Sequence, residues 1–398
     1  MIFKVLKKIA IVLANGFVFF IGLILLKSKK YIIIGSWMGS RYADNSRFLF
    51  EYLSKNKKHL KIKKIIWATR SKIICDGLKK DGFDAVLIGT LASFYYHCKS
   101  KVHIICNTAT SNKKFKSDID CYLSSGAIKI QLWHGNGIKC VPGADFENNK
   151  FLLSLKVIST PGLWHPQKML FLCKSDLDAG FFEKKFGISE SNCIHAAYPR
   201  TCGASYLNNE EKELISLIGS FKKIILFLPT FRDNYLHYVH PLSNVAIINY
   251  LEKNNYLWIE KPHAADKDGE TSLRVSSNNV LLLKDSFDIN VLLPLCDLLV
   301  TDYSSAMLDA MFYRKQIVYY TPDFDYYIQS DRGFLMDFDS VTINPKIKDL
   351  SCLIDGLEAA FKKPHYDARS EGIRKMFWKH DGWTCEDIWR EIKKKVHI

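Results

Sequence analysis

The chain has 398 residues, 48% hydrophobic and 24% charged, an ordinary globular composition with room for two separate cores. Its formal net charge of +15 favours anionic partners, but the surplus is scattered Lys, with neither zinc-finger spacing nor an RNP-type aromatic strand, which argues against nucleic acid. Eleven Cys residues stand singly, without a CxxC pair or a Cys/His cluster at metal spacing. This argues against structural zinc and for reduced thiols in the cytoplasm.

In chain order, the first feature is the run 9–26, 18 residues without a charge, flanked by Lys4, Lys7 and Lys8 and by Lys27, Lys29 and Lys30. As a helix it is roughly 27 Å long, just short of the ~30 Å hydrocarbon core. Asn15, Gly16 and Gly22 interrupt it, and lysines on both sides give no orientation signal. Residues 1–30 are therefore expected to form a membrane-associating helix, spanning or interfacial, that attaches the protein to the cytoplasmic face of the cell membrane. A secretory signal fits less well, because no small-residue cleavage site follows and a strand begins at once.

Strand-like runs follow at 31–34, 65–68, 85–88, 102–106, 128–132 and 169–173, and then at 224–228, 256–259, 280–283, 298–301 and 317–320. They are apolar throughout and separated by helix-length segments, the pattern of parallel sheets covered on both faces. The turn-rich stretch 198–209 separates the two series. It gives a first Rossmann-like α/β domain at 31–205 and a second at 206–398, facing each other across a cleft, with helices near 350–361 and 384–395 expected to cover the second. Asp44, Asn45 or Ser46 is placed to cap a helix starting near Arg47.

The ends of four strands carry unusual side chains. Trp133-His134-Gly135 follows 128–132, Thr230-Phe231-Arg232-Asp233 follows 224–228, and Lys261-Pro262-His263 follows 256–259. The run 298–301 ends in Thr301-Asp302, followed by Ser304, Ser305 and a helix with Met307, Leu308, Met311 and Phe312 on one face. Hydroxyls beside a helix N-terminus suit a phosphate, although capping by Asp302 or Ser304 is the plainer reading of that segment alone. In open α/β sheets the crevice beyond the strands' carboxyl ends binds ligands, so these groups are expected to converge there.

Read together, Gly35-Ser36-Trp37, Asp44-Asn45-Ser46, Trp133-His134-Gly135, Tyr198-Pro199-Arg200, the segment from Pro229 to Asn234, Lys261-Pro262-His263, the segment from Thr301 to Ser305 and Arg332-Gly333-Phe334 resemble the CDP-glycerol glycerophosphotransferases of teichoic-acid synthesis. Asn136-Gly137 stands where that family usually has Thr-Pro, and Ala264 where it usually has Pro. The resemblance implies a GT-B-like fold and transfer of an alditol phosphate from CDP-glycerol, or CDP-ribitol, to a lipid-linked or polymeric anionic glycan of a teichoic-acid or capsule type. The implied reaction is attack of an acceptor hydroxyl on the β-phosphorus with release of CMP.

By resemblance His134 and His263 are catalytic. A neutral hydroxyl needs a base poised near pH 7, which makes His134 the base, with His263 as donor or acid on the transferred phosphate. Trp133, Gly135, Thr230, Arg232, Asp233, Lys261, Thr301, Asp302, Ser304 and Ser305 are the expected substrate contacts, Arg232 through its bidentate fork with Asp233 orienting it. Tyr198-Pro199-Arg200 reads either as a hinge or as a phosphate contact. No cofactor or metal is demanded, although Mg²⁺ bridging donor oxygens suits such chemistry. Two other classes fit the same features: a nucleotide-sugar glycosyltransferase on this scaffold, and a non-catalytic, membrane-attached polyanion-binding protein.

Overall fold

In the computed structural model the described residues are 24–107, 117–135, 165–230, 232, 238–261, 277–330, 334–363 and 365–397, with Leu13, Gly16, Phe17, Phe20 and Ile21 before them. They divide into two compact units. The first is built from described residues within 1–134, 143–205 and 379–398, the second from those within 135–142 and 206–378.

The first unit holds a seven-stranded parallel sheet: β1 (Ser28–Ile34), β2 (Lys64–Thr69), β3 (Ala85–Leu87), β4 (Ser100–Ile105), β5 (Ile128–Gln131), β6 (Leu170–Cys173) and β7 (Cys193–His195), in the order β3-β2-β1-β4-β5-β6-β7. Ile32, Ile33 and Ile34 all have no exposed surface, so both faces of β1 are covered and an unbroken apolar run is the only pattern that fits. Four helices follow these strands in turn: α1 (Asp44–Asn56), α2 (Lys72–Lys80), α3 (Leu91–Lys99) and α4 (Asp176–Phe186). Ser71, Thr90 and Ser175 cap the last three by accepting a backbone N–H at the third helical position. Strand order reverses between β1 and β4, so the loops leaving those two strands border the crevice of this sheet.

The second unit holds six parallel strands, β8 (Lys223–Leu228), β9 (Tyr256–Glu260), β10 (Val280–Leu282), β11 (Leu298–Thr301), β12 (Gln316–Tyr320) and β13 (Lys346–Ile347), in the order β10-β9-β8-β11-β12-β13. Its helices are α5 (Asn209–Ile218), α6 (Val245–Asn254), α7 (Ala306–Phe312), α8 (Phe324–Ser330), α9 (Leu353–Phe361) and α10 (Ala368–Phe377). Here the order reverses between β8 and β11. An α/β chain with two parallel-sheet units is what the run pattern predicts.

Two expectations need correction. Among the described residues no helix is long and apolar enough to cross a membrane, and β1 begins at Ser28, inside the stretch expected to form an anchor. Most of 9–26 lies outside the described residues. The last helix, α11 (Cys385–Val396), belongs to the first unit and packs on α1 and β7, not on the second sheet. Its buried stripe of Cys385, Ile388, Trp389, Ile392 and Val396 has ordinary helical spacing, and periodicity alone does not say which sheet receives it. Strands β7 and β13, of three and two residues, are too short to show a period.

Gly35, directly after β1, has no room for a side chain: a Cβ there would lie 2.4 Å from the Asp118 carbonyl oxygen and 2.6 Å from Ile119 Cγ2. Gly35→Ala must displace backbone, so it is expected to destabilise the protein by about 1–3 kcal/mol, read as a lower thermal midpoint.

Candidate active site

His134 sits just past β5 on a turn that the sequence pays to bend. Trp133 adopts φ +61°, a left-handed conformation unfavourable for a bulky residue. Its indole offsets that cost by packing among Phe171, Phe181, Phe182 and Phe186, with ring centroids 5.2 Å away at Phe182 and 5.5 Å at Phe186. The Trp133 N–H donates to Gln131 Oε1 at 3.0 Å, and Gln131 Nε2 donates to the Asn107 carbonyl at 3.2 Å.

The imidazole is half-buried, with the rings of Trp37 and Trp133 at 5.7 and 4.9 Å. Nδ1 lies 3.0 Å from the carbonyl oxygen of Cys106. A carbonyl can only accept, so Nδ1 carries the proton and the lone pair of the neutral ring is on Nε2. Burial lowers the His134 pKa to about 4; the Cys106 carbonyl opposes the shift and Arg200 adds to it.

Three buried polar residues hold this turn. Arg200 Nη1 donates to the His134 carbonyl at 3.0 Å and to Asp44 Oδ1 at 2.8 Å. Asn45 Nδ2 donates to the carbonyls of Leu132 and Trp133 at 3.2 and 2.9 Å, while its Oδ1 accepts the Arg200 N–H at 3.2 Å. A fourth, Asp118, fully buried, accepts N–H groups from Met38, Cys106 and Asn107, and so fixes the peptide whose carbonyl orients His134. Asp44 and Asn45 thus brace the turn instead of capping α1, whose N-cap is Ala43. Arg200 thus has its guanidinium engaged by Asp44 and the His134 carbonyl. Asp118, Gln131 and Cys106 escaped sequence reading, because their work is done through backbone partners far along the chain.

In the second unit the expected phosphate groups are largely bound to one another. Arg232, 1% exposed, makes a bidentate pair with Asp323 (Nε–Oδ2 2.5 Å, Nη2–Oδ1 3.0 Å), while Nη1 contacts Asp302 Oδ2 and the Thr230 carbonyl, both at 2.8 Å. Burial opposes its charge, but Asp302 and Asp323 overcome this and raise its pKa. Asp302 also accepts the N–H of Thr230 and of Tyr303, at 2.9 and 2.5 Å. Thr301 Oγ1 donates to the Leu228 carbonyl at 2.7 Å. These contacts lock the ends of β8 and β11 together across the reversal of strand order. Asp323, in a loop after Pro322, is the partner that sequence reading did not supply.

Ser305 stands at the N-cap of α7 without capping it through its side chain, and Ser304 Oγ accepts the Ala306 N–H at 3.4 Å. The Lys261 N–H donates to the Phe227 carbonyl at 3.2 Å. Phe231, Asp233, His263, Arg332 and Gly333 lie outside the described residues. Among the described residues no group of three or more His, Cys, Asp or Glu is arranged to hold a metal.

Burial of neutral histidines has a consequence in acid. His97 and His134 are lowered to about 4 and His103 well below its ordinary value, in each case chiefly by burial. Unfolding restores a pKa near 6.5, so between about pH 6.5 and 4 the unfolded chain binds protons that the folded one does not. Stability is expected to fall on acidification through that window, by about 1.4 kcal/mol per histidine per pH unit, measured by urea unfolding at stepped pH. Arg200→Ala is expected to lower kcat with little change in donor KM, since Arg200 holds the His134 turn and not a ligand. A partial rescue in Arg200→Lys, which keeps the charge but not the fork, would show that geometry matters as well.

The family model described as CDP-Glycerol:Poly(glycerophosphate) glycerophosphotransferase matches residues 17–394. The Teichoic acid glycerol-phosphate transferase of Staphylococcus aureus (strain NCTC 8325 / PS 47) is 25% identical over 383 residues, 93% of this chain and 94% of that protein. The Teichoic acid poly(glycerol phosphate) polymerase of Bacillus spizizenii (strain ATCC 23059 / NRRL B-14472 / W23) is 26% identical over 84% of each chain. Among solved structures, that of the wall teichoic acid polymerase TagF superposes with a TM-score of 0.68 at 18% identity, covering 99% of this chain and 97% of that one, which supports a shared GT-B-like fold. A match over nearly the whole length, on a chain with His134 held as a neutral acceptor, places this protein in the CDP-glycerol:poly(glycerophosphate) glycerophosphotransferase family.

Proposed function

We propose that the protein transfers glycerol phosphate from CDP-glycerol to a hydroxyl of a lipid-linked or polymeric acceptor, releasing CMP, in the synthesis of a teichoic-acid or capsule-type polymer. Family membership makes it a glycerophosphotransferase. The observation that carries the mechanism is the His134 Nδ1–H bond to the Cys106 carbonyl, which leaves Nε2 to receive a proton.

In the reaction the acceptor oxygen gives its proton to His134 Nε2 and forms a bond to the β-phosphorus. The bond from that phosphorus to the bridging oxygen breaks, and CMP leaves with the electron pair. His263 would donate to the transferred phosphate or to the leaving oxygen. Arg232 acts at one remove, because its donors are committed to Asp302, Asp323 and Thr230; it keeps the ends of β8 and β11 in register so that Thr301, Ser304, Ser305 and Lys261 can meet the diphosphate. Trp133, Gly135 and Asp233 complete the proposed contacts.

The test is to incubate the protein with CDP-glycerol, CDP-ribitol or nucleotide sugars plus a lipid-linked acceptor and to identify the nucleotide released. CMP from CDP-glycerol is expected. His134→Ala should lose about 10²- to 10⁴-fold in kcat while still binding donor, as should His263→Ala. With the free-protein pKa near 4, kcat/KM should stay level from neutral pH to about 5 and fall below that. Release of UDP or GDP from sugar donors, with none of CMP, would overturn the proposal.

A further inference from the structure

The first unit carries a second concave feature far from His134. The loop leaving α1 and the polar face of α11 meet in a groove of about 570 Å³, lined among others by Lys61, Arg390, Lys393, Lys394 and Trp389, with Glu386 as the one acid. The loop segment 55–64 contains six lysines and no carboxylate. It closes with paired backbone bonds, Ile62 N to the Lys57 carbonyl at 2.9 Å and Lys61 N to the Lys58 carbonyl at 3.1 Å. This puts Lys61 at φ +55°, a position that glycine fills more easily, so a charge is kept there against backbone preference.

Part of this positive charge is already neutralised. Lys57 and Lys64 share Asp84, Arg390 pairs with Asp387, and Lys394 pairs with Glu391. Lys61 and Lys393 have no carboxylate partner among the described residues. Trp389, 2% exposed, lines the groove from the buried stripe of α11. A phosphate entering the groove neutralises Lys61 and Lys393.

We infer that this groove is an exosite for the phosphodiester backbone of the acceptor chain. The inference rests on the proposed function, which supplies a polymer with a negative charge on every repeat. A flat bilayer cannot enter a concavity, whereas a single extended polyanion can. The loop precedes the amino end of β2, while His134 stands beyond the carboxyl ends of the sheet, so the two sites are separated by about the length of a strand, roughly 20 Å. Only a chain several repeats long can occupy both. Holding its distal part raises the effective concentration of its reacting end.

The experiment uses the full chain, with Lys61→Glu and Lys393→Glu combined. Binding of long poly(glycerol phosphate) and the kcat/KM ratio for a long acceptor over a single-unit primer are both measured, and both are expected to fall about tenfold in the variant. Raising salt should weaken binding to the wild type more steeply than to the variant. Lys79→Glu with Lys80→Glu, an equal charge change on the exposed face of α2, is expected to keep the wild-type ratio. An unchanged ratio and unchanged polymer binding in the groove variant would overturn the exosite. So would loss of binding to anionic vesicles with polymer binding intact, which would make the surface a membrane contact. Absence of CMP release from every form would instead count against the proposed function, and the binding measurement would still read the groove.

Discussion

Because Nδ1 of His134 spends its proton on the Cys106 carbonyl, the ring can accept only at Nε2, and everything around it maintains that one hydrogen bond. The carbonyl is aimed by its own peptide, whose N–H, that of Asn107, is held by Asp118. Asp118 also reaches Met38, and its carbonyl closes over Gly35, so the loops leaving β1 and β4 are tied into a single piece. From the other side Arg200, Asp44 and Asn45 grip the backbone of residues 132–134. A Cβ at Gly35 or a missing guanidinium at position 200 would therefore be felt at the imidazole without touching it.

Each unit solves the same problem at its reversal of strand order with a buried arginine. Arg200 binds Asp44 and a backbone carbonyl; Arg232 binds Asp302, Asp323 and another carbonyl. Buried ion pairs are weak sources of net stability, because desolvation cancels much of their attraction, yet removing one partner is costly. Their value here is directional. A planar donor fork satisfied on several sides admits few backbone arrangements, and loops at a crevice are where arrangement must be fixed.

Eleven of the thirteen strands among the described residues were legible because a strand buried on both faces must be apolar throughout, and 31–34 or 298–301 allow no other reading. The positions bearing His134, Thr230, Arg232 and Asp302 were legible as polar interruptions at strand ends. Their partnerships were not. Arg232 reads as a phosphate fork until Asp323 is found 91 positions away, and Asp44 reads as a cap until Arg200 is found 156 positions away. The C-terminal helix failed for a similar reason: an apolar stripe states that it must be covered, not by which sheet. The basic groove was invisible as well, since its two halves, 57–61 and 390–394, are charged in ways any solvated surface could be.

A histidine held near pKa 4 is a weak base, which conflicts with the simple expectation of one poised near 7. The causes of the shift resolve the conflict. Burial disfavours imidazolium, the Cys106 carbonyl compensates only in part, and Arg200 adds a like charge. On the proposed reaction the donor brings a diphosphate into the same low-dielectric surroundings, where an opposite charge a few ångströms away favours the protonated ring. The base thus gains strength as the donor binds and loses it when CMP departs. In the free protein the ring remains neutral, with its lone pair available, through the neutral pH range.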